Sequence, residues 1–259
     1  MSRNFELLQN LGKAQEILEA SGLPVAGTEL EGPLAIPLHD SNVTPSPLAM
    51  EEEQREEVAK LVQRVFLLPN KDMARAVAFS GTEPGNGCSW ICARAAEILA
   101  AHVAGTVCIV DANLRVPSLH AYFGVENHHG LTESLSSAEP LRSFVHPIGG
   151  KNLWLLSCGA ETENWQALLG SDRMRLRLAE LRSQVDYVLV DGPALTAGND
   201  AVSLALSMDG LVLVLKANSS RRDSVRKAVQ DLHEAGVRVL GAVLNQRTFP
   251  IPEKLYSRL

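Results

Sequence analysis

Positive charge is in the minority in this sequence. Its 24 Lys and Arg face 30 Asp and Glu, a net charge of −6 at neutral pH, so there is no broad basic surface to hold nucleic acid, and no nucleic-acid partner is expected. Long apolar runs are missing as well. No stretch approaches the roughly 20 apolar residues that span a bilayer. The start, MSRNFELLQN, lacks the basic segment, apolar run and small-residue cleavage site of a secretory signal, so a cytoplasmic protein is the expectation. The four cysteines, Cys88, Cys92, Cys108 and Cys158, contain no CxxC pair and sit in apolar segments, as reduced thiols do. With 46% hydrophobic and 21% charged residues the composition excludes wholesale disorder, and a chain of 259 residues can bury a sizeable core.

What is present changes character along the chain. Phe5, Leu7, Leu8, Leu11, Ile17 and Leu18 have the spacing of a short amphipathic helix. Residues 21–47 are rich in Pro, Gly, Ser and Thr without periodicity and read as a linker, so 1–50 is an arm set apart from a domain at 51–259. In MEEEQREEVAKLVQRVFLLPN the residues Val58, Leu61, Val62, Val65 and Phe66 make one helical stripe, and Pro69 limits its extension. Apolar runs then follow at 76–81, 106–112, 152–159, 186–193, 210–218 and 237–245, with helix-like segments at 88–103, 165–183, 198–207 and 220–235. Near-continuous apolar strands alternating with helices predict an α/β fold, a mainly parallel sheet covered by helices on both faces. In such sheets ligands sit beyond the carboxyl ends of the strands.

Three loops at those ends carry the chemistry. GTEPGNGCS leaves a strand and opens a helix; Gly81, Gly85 and Gly87 let the backbone turn its N–H groups to an anion, and the helix N-terminus adds a favourable dipole. Its candidate phosphate-binding residues are Gly81, Pro84, Gly85, Asn86, Gly87, Cys88 and Ser89. The Ser89 hydroxyl occupies the position that ligates Mg²⁺ in such loops, and Cys88 stands where they carry lysine. CIVDANLR ends a strand at Asp111, followed by Asn113 and Arg115; YVLVDGP ends another at Asp191, the usual place of a carboxylate that serves Mg²⁺ or the attacking group.

From about Glu51 onward these motifs, with EEVAKLVQRVFLLPN, VDANLRVPSLHAYFG, NDAVSLALSMDGLVLVLKANSSRRDSV, GVRVLGAVLN and the ending FPIPEKLYSRL, resemble the bacterial tyrosine kinases of capsule and exopolysaccharide synthesis. That family belongs to the deviant P-loop ATPases, alongside the MinD/ParA proteins. The resemblance implies a P-loop NTPase fold and ATP or ADP with Mg²⁺ as cofactors. It also implies Ser89, Asp111 and Asp191 as metal-side residues, with Asp111 and Asp191 catalytic in an active enzyme, and Arg115 among the nucleotide-binding residues. The implied partner is a membrane polysaccharide co-polymerase or another subunit of the export machine, at the inner face of the membrane, with homo-oligomers as in the family.

The pattern departs from that family at four places. Cys88 cannot supply the charge of the P-loop lysine; one charge-assisted contact is worth about 1.5–3 kcal/mol, and turnover should suffer more than binding. Asn113 stands for the second Asp of Asp-x-Asp-x-Arg, which weakens Mg²⁺ support. The family's tyrosine-rich tail is reduced to Tyr256, the other tyrosines being Tyr122 and Tyr187. Glu57, Lys60 and Gln63 are a softened version of the Glu-x-x-Arg-x-x-Arg oligomerisation motif. The expected function is therefore a degenerate, regulatory kinase-like protein with weak or absent hydrolysis and weakened nucleotide and Mg²⁺ binding. The alternatives are an active kinase or ATPase in which Arg115 or a partner supplies the charge, and a ParA-like positioning protein.

Other features carry plainer readings beside sharper ones. At a helix N-terminus Cys88 is a candidate low-pKa thiolate, and with Cys92 at i, i+4 a candidate metal pair, although Cys92 fits a core position better. His120, His128, His129 and His146 read as surface or packing residues sooner than a metal site. Trp154 and Trp165 are expected to pack, and Arg221 and Arg222 either face the nucleotide-side loops or are surface charges.

Overall fold

The computed structural model describes residues 52–68, 73–149 and 152–247. The arm at 1–50, Pro69, Lys71 and the ending with Tyr256 lie outside the described residues. Helix α1, Glu52–Val62, runs into a wider π-turn over Gln63–Leu67 that closes with the Leu68 N–H on the Gln63 carbonyl at 2.9 Å. The predicted stripe is the buried one: Val58, Val62 and Phe66 are at most 5% exposed and pack into the core beside α2, Cys88–His102.

The strands are β1 (Ala76–Gly81), β2 (Val107–Asp111), β3 (His146–Pro147), β4 (Leu153–Leu156), β5 (Tyr187–Asp191), β6 (Gly210–Lys216) and β7 (Val239–Asn245). They form one sheet in the order β3-β4-β2-β5-β1-β6-β7, parallel throughout except for β3 against β4. Every residue of β1 and β2 is buried, as expected of strands covered on both faces. One face, with Val77, Phe79, Ile109, Leu155, Leu189, Val212 and Val214, packs under α1 and α2. The opposite face meets α6 (Asp172–Gln184) and α7 (Asp200–Leu206), which contribute Met174, Leu178, Leu181 and Leu204. The foot of β1 is closed by Asp209, which accepts the N–H groups of Arg75 and Ala76 at 2.7 and 2.8 Å and pairs with Arg182 at 2.6 Å.

Two expectations needed correction. The segment 165–183 is two helices, α5 (Trp165–Leu169) and α6, because Ser171 accepts the Met174 N–H at 3.1 Å and so caps a new helix after Gly170. Short helices α3 (Leu119–Phe123) and α4 (Leu131–Ser136) and the two-residue β3 also went unread, being too short to show a period. The last helix, α8 (Arg222–Glu234), is largely exposed, with Leu232 its buried residue.

If the π-turn is part of the core, Phe66→Ala costs about 3–5 kcal/mol, whereas Leu68→Ala, at a residue 46% exposed, stays within about 0.5 kcal/mol. Urea unfolding of the two variants checks this.

Candidate functional site

The carboxyl ends of β1, β2, β5, β6 and β7 bring the three loops together. Residues 82–87 leave β1 as a phosphate-type loop whose shape needs glycine at two points. Gly85 has φ +81°, and Gly87, the N-cap of α2, has φ +79° with the Asn245 side-chain amide standing where a Cβ would be. Asn86, 3% exposed, braces the loop from inside: its amide donates to the Thr82 hydroxyl at 2.9 Å and to the Val214 carbonyl of β6 at 3.1 Å. From β7 the Asn245 amide donates to the Asn86 carbonyl at 2.9 Å. Pro84 is exposed at the loop tip. Neighbouring loops are tied in by Ser80, whose hydroxyl donates to the Pro193 carbonyl at 2.6 Å, and by the Thr196 N–H on the Thr82 carbonyl at 3.3 Å.

Asp111 and Asp191 are register partners at the ends of β2 and β5, and both are wholly buried. Their surroundings differ. Asp111 accepts the N–H groups of Ser118 and Leu119 at 2.9 Å each and of Asn113 at 3.3 Å. Burial still pushes its pKa up to about 6, with those three N–H groups holding it down. Neither Asp191 oxygen has a hydrogen-bond partner. Burial first, and then the Asp111 charge, push Asp191 up to about 8, although the nearby Ser89 and Cys88 side chains lower it. Two buried carboxyls side by side cannot both ionise cheaply, so the pair retains a proton near neutral pH.

Cys88 stands on this acidic side of the loop. Burial, and after it the charges of Asp191 and Cys92, raise its thiol well above the ordinary cysteine range. This runs against the low-pKa thiolate: Cys88 is half-buried against the core, and beside a carboxyl group its thiol is pushed up despite the helix N-terminus. Cys92 is wholly buried in the core, and among the described residues no group of three or more His, Cys, Asp or Glu is placed to hold a metal ion, so nothing joins Cys88 and Cys92 in a thiolate metal site. Of the four histidines, His129 stacks on Phe144 at 4.3 Å and His146 Nε2 lies 3.1 Å from the His129 carbonyl, while His128 is exposed.

Arg115 is exposed, its guanidinium 6.0 Å from the centre of the Trp165 ring, at the edge of cation–π range. Arg221 and Arg222 are exposed at the start of α8. The residues that sequence reasoning missed are on the other flank of the loop. Asn245 ends β7, and its register partner Lys216 ends β6 on the face of Val212 and Val214. Ser220 accepts the Lys216 N–H at 3.1 Å, and its hydroxyl is 3.4 Å from that of Thr82. The signal for Asn245 was a polar residue closing an apolar strand at the ligand end of the sheet, the same signal that marked Asp111 and Asp191.

A hard divalent cation fits the acidic side. Asp191 has two unpartnered oxygens with the Ser89 hydroxyl close by, whereas Asp111 is largely satisfied by backbone. Two glycines in the left-handed region and the braced Asn86 set the turn of the loop, and the side chain at the head of α2 is Cys88, which carries no positive charge.

No family model matches the chain. It is similar to the tyrosine-protein kinase etk of Escherichia coli (strain K12), 31% identical over 166 residues that make up 64% of this chain and 23% of that protein. It is also similar to the tyrosine-protein kinase YwqD of Bacillus subtilis (strain 168), 31% identical over 171 residues, 66% of this chain and 72% of YwqD. Among solved structures, the VpsO kinase domain superposes with a TM-score of 0.68 at 27% identity, covering 76% of this chain and 98% of that one. The septum site-determining protein MinD from Pyrococcus horikoshii OT3, complexed with Mg-ADP, matches in fold with a TM-score of 0.57 at 22% identity, covering 72% and 77%. The fold is that of the P-loop NTPases of the tyrosine-kinase and MinD/ParA type.

The carboxyl pair sets a pH dependence. A carboxyl whose pKa is higher folded than unfolded stabilises the fold at low pH, and that contribution is lost as pH rises from about 4 through about 8. In EDTA the melting temperature therefore falls between pH 5.5 and 8.5, and Asp191→Asn flattens that fall; melting curves of both proteins across the range check it.

Proposed function

This chain belongs to the bacterial tyrosine-kinase family, and from that premise we propose that it is a degenerate member. In this reading the loop at 81–89 binds a polyanion such as ATP or ADP weakly, phosphoryl transfer is weak or absent, and the protein acts as a regulatory subunit of exopolysaccharide production. The observation that carries the proposal is that position 88, at the head of α2 and beside Asp191, holds a cysteine, which has no positive charge, where the family places an ammonium group. Transfer concentrates negative charge on the moving phosphoryl group, and a preorganised cation there acts mostly on the transition state. Its absence costs turnover more than affinity.

Arg115 lies over Trp165. Lys216 ends β6, and the order β5-β1-β6 puts it two strands from Asp191, about 10 Å across the sheet. Mg²⁺, when bound, would neutralise phosphate charge. The residues that would hold it are Ser89 and Asp191, with Asp111 beside them, and Asp191 must first give up its proton. Asn113 uses its backbone N–H to orient Asp111, and its uncharged side chain adds no second carboxylate.

By family likeness the partner is the cytoplasmic part of a membrane polysaccharide co-polymerase or another subunit of that machinery, which would hold the protein at the inner membrane face. No described helix is long and apolar enough to cross a membrane. The exposed Glu57–Lys60 ion pair on α1, 2.5 Å long, uses Lys60 internally and leaves less charge for assembly of identical copies.

The expected outcome with Mg·ATP is phosphate release by the unaltered protein near background and no phosphotyrosine, with Cys88→Lys raising turnover about a hundredfold or more. Steady-state hydrolysis and anti-phosphotyrosine detection measure this. Brisk hydrolysis by the unaltered chain rejects the proposal.

A further inference from the structure

We infer that Asn245, the last residue of β7, is a positioning residue for the phosphate loop, setting the direction of the Gly87 N–H; this rests on the polyanion-binding reading above. The Asn245 amide donates to the Asn86 carbonyl at 2.9 Å. Asn245 is itself held, its carbonyl accepting the Ala217 N–H at 2.9 Å and its Oδ1 the Gln246 N–H at 2.8 Å. No described peptide bond is cis. In a trans peptide the carbonyl and the following N–H point opposite ways. Anchoring the Asn86 carbonyl on β7 thus turns the Gly87 N–H away from β7.

The same residue is gripped from the other side. The buried Asn86 side chain donates to Thr82 Oγ1 at 2.9 Å and to the Val214 carbonyl at 3.1 Å, so Asn86 is fixed through its main chain by β7 and through its side chain by β1 and β6. Gly87 is fitted to this arrangement, because a Cβ there would overlap the Asn245 amide. The first turn of α2 then carries Cys88 and Ser89 to Asp191, a buried carboxyl that accepts no backbone N–H. In a loop without a lysine, anion binding depends on N–H groups already aimed, since each one that must first reorient gives back part of what its hydrogen bond supplies.

The test uses inorganic pyrophosphate in EDTA on the full chain, with Asn245→Ala and Asn245→Leu beside the unaltered protein; leucine keeps the volume and removes the donor. Affinity is read by calorimetry, the Gly87 amide by ¹⁵N–¹H resonance shift, and folding by melting temperature. In the unaltered protein pyrophosphate moves the Gly87 amide. In both variants affinity falls about tenfold, one hydrogen bond's worth, and the Gly87 amide no longer moves while the melting transition persists. Equal affinity and an equal Gly87 shift in folded Asn245→Leu overturn the positioning role alone. If the unaltered protein binds no pyrophosphate, the polyanion reading fails and this inference falls with it. Should Asn245→Ala not fold, the leucine variant decides.

Discussion

The in-register parallel ladder between β2 and β5 is the constraint on which the site depends. Pairing Val107 with Tyr187 at one end obliges Asp111 to meet Asp191 at the other. A slip of one residue would turn one carboxyl to the opposite face and leave it among apolar side chains. The neighbouring β1–β5 ladder sets Phe79 opposite Asp191, and the loop at 82–87 springs from β1 two residues later. Hydrophobic burial on both faces and the backbone ladders thus fix where three polar loops meet.

The electrostatics of that meeting point are lopsided. The β2–β5 side holds two buried carboxyls with the half-buried Cys88 thiol beside them, and the β6–β7 side ends in Lys216 and Asn245. With lysine at position 88, a cation would sit beside Asp191 and both carboxyls could ionise. With cysteine there, burial and the neighbouring carboxyl favour a retained proton on the pair. The shape of the loop and its charge rest on different groups: glycines and asparagines set the backbone, and the side chain at position 88 sets the charge.

Much was legible from residue pattern. The strands were read to within about two residues at most ends, because near-continuous apolar runs of this kind have few other ways to be buried. The loops at 81–89, 111–117 and after Asp191 were found because polar residues closing apolar strands of a parallel sheet lie at one edge. Helix breaks were less visible: the Gly170–Ser171 cap lies inside a continuous helical pattern, and short α3 and α4 have no room for a period. Arg115 was assigned to the nucleotide from motif order, and its contact with Trp165 joins residues fifty positions apart, which no local pattern encodes.

By itself the sequence determined the alternation of strands and helices, the identity of the three loops and the absence of lysine at Cys88, because these follow from local periodicity and residue chemistry. Only the tertiary structure decided that Cys88 stands beside Asp191, where its thiol is pushed up, that Asp111 accepts three N–H groups while Asp191 accepts none, and that Asn245 reaches the loop from the far edge strand. Each of these depends on burial and on contacts across the sheet, and burial is a property of the packed chain that no single segment carries.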